Sequence, residues 1–252
     1  AATANVSTWW NDKTLRFSGK ITGAGGLDFI LQPSSVGGRY FITGADNDYL
    51  GNTSVTGSDT PQFGYTGQAM LYLGATNALP VTTSLSLNHA DLYLNGQSQT
   101  LPAITGTGTF TVQNGSTSPA SLTLGAADTS STFAGAIRDN GIDVTNTSAT
   151  PATVTGTVSL TKIGTGTLTL TGTNTYTGAT AVTAGTLAFV GGSQASPVTV
   201  SAGASLGFTL ESPTTSTGTF NLSAGTIKIT GTPTLNSYDL ISSSAGITGT
   251  PV

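Results

Sequence analysis

Thr167-Leu168-Thr169-Leu170-Thr171 alternates a β-branched polar residue with an apolar one at every step. This pattern, repeated down the chain, constrains the fold more than any other feature. A period of two puts the apolar side chains on one face of a strand and the hydroxyls on the other. The same alternation runs through Leu85-Ser86-Leu87, Leu92-Tyr93-Leu94, Phe110-Thr111-Val112, Leu122-Thr123-Leu124, Val198-Thr199-Val200 and Ile227-Lys228-Ile229. It predicts sheets with one wet face and one buried face. Turn signals separate the runs: Asn95-Gly96, Asn114-Gly115, Asn140-Gly141, and Ala-Gly at Ala184-Gly185, Ala202-Gly203 and Ala224-Gly225.

Composition narrows the choice. The 252 residues include 50 Thr, 34 Gly and 27 Ser, and only 7% are charged. Helix-stabilising Glu, Lys, Arg and Gln are scarce, and Thr and Gly interrupt nearly every window. Apolar residues that alternate instead of scattering argue against disorder. The chain has no Cys, hence no disulfide and no thiolate-held metal. Its net charge is −4, with seven Lys and Arg spread singly, which argues against nucleic-acid binding. No apolar run approaches the roughly 18 residues of a membrane helix. The opening Ala1-Ala2-Thr3-Ala4 has the small residues found around a signal-peptidase cleavage point and reads as a mature N-terminus.

A long-period repeat is visible. Phe17-Ser18-Gly19-Lys20-Ile21 matches Phe133-Ala134-Gly135-Ala136-Ile137, and the stretch from Ile42 to Thr56 matches that from Leu170 to Thr183 with one extra residue. Further on, Leu71-Tyr72-Leu73 matches Leu187-Ala188-Phe189, and Thr107-Gly108-Thr109-Phe110 matches Thr217-Gly218-Thr219-Phe220. The blocks keep their order. They divide the chain into an N-terminal strand or cap segment (1–16), a first repeat unit (17–125) and a second (126–252). Many short strands with small turns in each unit favour an all-β fold, a parallel β-solenoid of stacked coils, over a pair of β-sandwich domains.

The second unit carries a recognisable signature. The stretch from Leu160-Thr161-Lys162-Ile163-Gly164-Thr165-Gly166 through Thr167-Leu168-Thr169-Leu170-Thr171-Gly172-Thr173-Asn174-Thr175-Tyr176 to Gly185-Thr186-Leu187 resembles the autotransporter-associated β-strand repeat of bacterial passenger domains. The resemblance implies a right-handed parallel β-helix, secretion, cell-surface or extracellular display, and no catalytic residues. An autotransporter also carries a membrane barrel of strands about ten residues long. The final residues, Ile247-Thr248-Gly249-Thr250-Pro251-Val252, do not resemble one.

Within the signature, Leu168 and Leu170 should point inward and Thr167, Thr169 and Thr171 outward. Residues 172–178 should form a single corner, with Asn174 tolerating a left-handed backbone. Tyr176 and its counterpart Tyr49 read as packing residues. Asp46-Asn47-Asp48 and Asp139-Asn140-Gly141-Ile142-Asp143 could ligate calcium, but read as plain turns. The single His89 reads as a solvated turn residue. No catalytic constellation and no cofactor motif appears. Trp9, Trp10 and Tyr238 are the candidate interface residues. The ends of a solenoid expose unpaired strands, and neither end shows a charged, helical or Pro-rich cap. The expected partner is therefore the chain itself, in a non-enzymatic structural fibre or matrix built head-to-tail. The alternative is an adhesin that binds glycans through exposed Trp and Tyr. A membrane span and a cofactor are not expected.

Overall fold

Each alternating run coincides with a strand or borders one. The computed structural model describes residues 2–8, 13–31, 38–58, 68–107, 110–140, 154–210, 212–222, 225–232, 234, 237 and 239–249. Among these residues all regular structure is β, and all pairing is parallel.

The strands lie on three faces. The first holds β1 (Ala4–Thr8), β3 (Leu27–Leu31), β5 (Thr53–Thr56), β7 (Leu85–Asn88) and β10 (Ile104–Thr107). Beside β10 it continues with β13 (Ser131–Phe133), β16 (Thr167–Leu170), β19 (Thr186–Phe189), β22 (Ser205–Thr209) and β25 (Thr226–Thr230). The second holds β2 (Lys13–Phe17), β4 (Gly38–Ile42), β6 (Ala69–Leu73), β8 (Ala90–Tyr93), β11 (Thr111–Asn114) and β14 (Ala136–Asn140). Beside β14 it continues with β17 (Thr173–Asn174), β20 (Ser193–Gln194), β23 (Thr214–Ser216) and β26 (Ile241–Ser243). The third face starts later, with β9 (Ser98–Leu101), β12 (Ala120–Leu124), β15 (Val158–Lys162), β18 (Thr180–Val182), β21 (Val198–Val200), β24 (Phe220–Asn221) and β27 (Ile247–Thr248). The strands fall into ten levels, so the chain winds about nine turns as a parallel β-solenoid. The stack runs through residue 125 without a break, because β12 pairs with β15.

Strict register explains the core. Phe133, Leu170, Phe189 and Phe208 follow one another up the first face, all buried. Leu168, Leu187 and Leu206 form the adjacent inner file. Thr167, Thr169 and Thr171 are more exposed than their apolar neighbours, as the alternation predicts. Each inward side chain is thus sandwiched between its equivalents one coil up and one coil down, and burial comes from stacking instead of from a globular interior.

The corner after Leu170 differs from expectation. Residues 172–178 do not form one turn, because the short strand β17 lies within them. Asn174 keeps an extended backbone inside that strand. Its Oδ1 accepts a bond from Ile137 N in the preceding coil at 3.1 Å, and its Nδ2 donates to Gly172 O at 3.2 Å. A buried amide that satisfies two backbone groups needs no left-handed turn.

Candidate functional site

The outer side of the second face departs from the wet-surface rule. Arg16, Phe41, Tyr72, Tyr93, Gln113 and Arg138 occupy one outward file, one residue per coil. Phe41 and Tyr72 stack with ring centroids 4.5 Å apart, and Tyr72 and Tyr93 follow at 4.4 Å. The Arg16 guanidinium lies over Phe41, 4.6 Å from the ring centroid. At the far end Arg138 Nε donates to Gln113 Oε1 at 2.9 Å. Phe41, Tyr72 and Tyr93 are buried although they point away from the core. All three arginines of the chain stand on this face, since Arg39 occupies the neighbouring file.

Burial dominates the electrostatics here. It pushes the Tyr93 hydroxyl up to about 12 and raises Tyr72 further, so both remain protonated donors. Asp91, in the file of Arg39, is also raised by burial, against the pull of its bonds from Thr111 and the charge of Arg138. Its Oδ1 accepts from Thr111 N at 2.9 Å and from Thr111 Oγ1 at 2.6 Å. The cluster is a closed packing unit that clips four coils together from outside.

In the chain β1, β3 and β5 on the first face are followed by β2, β4 and β6 on the second. Trp9 and Trp10, which fall between β1 and β2 in the sequence, lie outside the described residues, as does Tyr238. The described tyrosines, 40, 49, 72, 93 and 176, are all buried. None of these five offers an exposed platform for glycan stacking.

Two corners share one chemistry. Tyr49 OH and Thr53 Oγ1 are 2.6 Å apart, and so are Tyr176 OH and Thr180 Oγ1. Asn47 Oδ1 accepts from Ile21 N as Asn174 Oδ1 accepts from Ile137 N. Thr43 N donates to Phe17 O at 2.8 Å, and Thr171 N donates to Phe133 O at 3.1 Å. Burial raises Tyr49 to about 12 and raises Tyr176 as well. Both tyrosines are packing residues whose hydroxyls are satisfied internally.

The acidic turns have structural duties too. Asn47 Nδ2 donates to Gly44 O and Ala78 O, and Asp48 pairs with Lys20 at 2.7 Å. Asp139 Oδ1 accepts from Val158 N at 2.7 Å, while Oδ2 accepts from Thr177 N and Thr177 Oγ1. Residues 141–143 lie outside the described residues. Among the described residues no three His, Asp or Glu side chains come together as a metal site. His89 is half-buried with a left-handed backbone (φ 49°), at the corner between β7 and β8.

A residue whose charge is at odds with its inward place in the alternation is Lys162. It stands in the inner file between Leu124 and Val182, 1% exposed. Its Nζ donates to the carbonyls of Ile163, Gly164 and Ala184 at 2.5, 2.8 and 3.3 Å. Burial lowers its pKa, opposed by the charge of Asp128. The ammonium ties the corner of one coil to that of the next, with its apolar stem in the core.

Stacked parallel coils, an interior filled by residues in register and corners satisfied by buried Asn, Tyr and Lys define a parallel β-solenoid. Residues 160–189, which hold Lys162, Leu168, Leu170, Asn174, Tyr176 and Phe189, match the family model of the passenger-associated-transport-repeat. That repeat and the solenoid around it fit an autotransporter passenger-repeat protein, for which secretion to the cell surface is implied. No curated protein matches the chain.

Proposed function

We propose that the chain is a non-enzymatic, extracellular structural domain of the passenger type, which associates with copies of itself end to end into a surface fibre or matrix. The observation that carries this reading is the state of the outermost coils. Ile229 and Ile247 are inner-file residues by register, yet they are 55% and 50% exposed. At the other end Val6, Leu15 and Phe17 are only partly buried against the core. A further coil placed over either end would cover them, by parallel strand addition to the outer edges of β25 and β1, which no described strand pairs. In this reading a second copy supplies that coil.

The non-enzymatic part rests on what the described polar side chains do. Asp91, Asp139 and Lys162 are each bonded to backbone or neighbouring side chains, in roles that hold coils together. Electron microscopy of the purified chain, combined with size-exclusion chromatography, tests the assembly. Filaments one solenoid wide that Ile229→Asp abolishes are the expected result. A species that stays monomeric at high concentration overturns the reading.

A further inference from the structure

A polar groove runs along the solenoid axis where the chain enters the first face. It encloses about 460 Å³ and is lined by residues from Thr3 to Thr105. Its wall is an outward file in register, Asn5, Asp28, Ser54, Ser86 and Thr105, one residue in each of five consecutive coils. All but Asn5 line the groove.

Backbone forms the floor. Gly25, Gly26 and Gly51 lie there with no side chain to fill the space. A Cβ on any of them would run into main-chain atoms of the adjacent coil. The corners of successive coils are tied by Leu27 N to Asn52 O, Thr53 N to Ser84 O and Leu85 N to Ala103 O, at 3.0, 3.0 and 3.1 Å. Main-chain bonds therefore tie the floor of each coil to that of the next. The groove is polar, and among its described lining residues Asp28 is the one that is charged.

We propose that this groove binds a linear, uncharged polysaccharide laid along the solenoid axis, with one sugar unit over each coil. The coil spacing of about 4.8 Å is set by the strand separation of any sheet, and it is close to the advance of one pyranose in an extended chain. Each coil step offers a hydroxyl or carboxylate partner. Ser54 Oγ donates to Asp28 Oδ1 at 2.5 Å across one such step, and a sugar hydroxyl takes up the same bond.

An extended peptide fits less well. The paired corner backbones offer it no free edge, and the wall file holds no apolar pocket for a side-chain anchor. An acidic glycan would meet Asp28. Without an aromatic platform the energy per sugar is small, and useful affinity comes from several coils acting together. The inference stands apart from self-association, which involves the ends of the stack and not this side.

The test uses the intact chain and three series of oligosaccharides (cello-, chito- and malto-), each from two to six units, followed by amide chemical shifts. With at least one series, the shifts concentrate at Asp28, Ser54, Ser86 and Thr105, and affinity rises with length up to five units. Ser54→Tyr combined with Ser86→Tyr fills the groove from outward positions and weakens binding at least tenfold. Thr123→Tyr on the third face leaves binding unchanged. Asp28→Ala reads the same site without added bulk if the tyrosines disturb folding. No shifts with any series up to millimolar sugar, affinity independent of length, or binding indifferent to the groove variants would each overturn the proposal. Filament formation is scored separately, so the two ideas fail independently.

Discussion

At the scale of single residues, the polar side chains in buried places are staples. Asn174 and Lys162 reach main-chain partners across a coil step, and Tyr176 holds the hydroxyl of Thr180, which meets Ser196 of the next coil; an apolar residue at any of the three would leave polar groups unpaired. Asp91 is the buried carboxylate whose titration is coupled to folding. Burial raises its pKa in the folded chain above the unfolded value. The folded state then holds the proton more firmly. The stabilising contribution of this group is complete below the unfolded pKa and is lost as pH rises through the folded one. Asp91→Asn keeps an oxygen for the two bonds from Thr111 and removes the titration. Wild type should therefore gain stability relative to this variant between about pH 8 and about pH 4. Urea denaturation of both proteins at the two pH values measures it, and a constant difference between them contradicts the assignment.

At the scale of elements, the corners decide which coils can stack. Gly125, Gly164 and Gly185 recur at the corner from the third face to the first, with φ of 104°, 68° and 65°. Gly203, one coil further on, has φ 79°. All four adopt the left-handed backbone, but their surroundings differ. A Cβ on Gly185 would strike the carbonyl oxygens of Gly164 and Gly166, whereas one on Gly203 meets nothing within 4 Å. Gly203→Ala should cost only the left-handed penalty of about 1–2 kcal/mol. Gly185→Ala should cost clearly more, because the coils must also separate. Thermal melts of the two variants decide this, and equal losses would mean that the stacking distance does not limit the corner. The strands between the corners were legible because period two is a local signal. Strands β17, β20 and β24 were not, since two residues cannot show an alternation. The outer cluster was half legible. Alternation places Tyr93 outward, but its burial depends on Tyr72 and Phe41, whose strands lie one and two coils away in a register that no local pattern reveals. Lys162 defeated the pattern because a cation in an apolar file makes sense only once three carbonyls are seen to converge on it.

At the scale of the whole molecule, the order-preserving matches acquire a geometry. The Tyr49 corner joins β4 on the second face to β5 on the first, while the Tyr176 corner leads from β16 on the first face to β18 on the third. The same corner chemistry is thus turned by one face about the axis. Leu71-Tyr72-Leu73 and Leu187-Ala188-Phe189 follow the same rotation, lying in β6 on the second face and β19 on the first. The match of Phe110 with Phe220 does not follow it. Phe110 leads into β11 on the second face, so the rotation would place its counterpart on the first, and Phe220 opens β24 on the third. A corner that works on any face is what a stack of nearest-neighbour contacts permits, since each coil reads only the coils above and below it. The same locality governs how damage spreads. Leu170 is 1% exposed between Phe133 and Phe189. Leu170→Asp places a carboxylate in that file and should cost about 4–5 kcal/mol at its coil, more than an isolated coil step can absorb. Protection from hydrogen exchange should collapse in β13, β16 and β19 and persist in β4, β6 and β8, which touch none of the affected coils and are clipped from outside by Phe41, Tyr72 and Tyr93. Uniform loss of protection over the described strands would show that the solenoid unfolds as a single unit. Unchanged protection in β16 would show that Leu170 does not face inward.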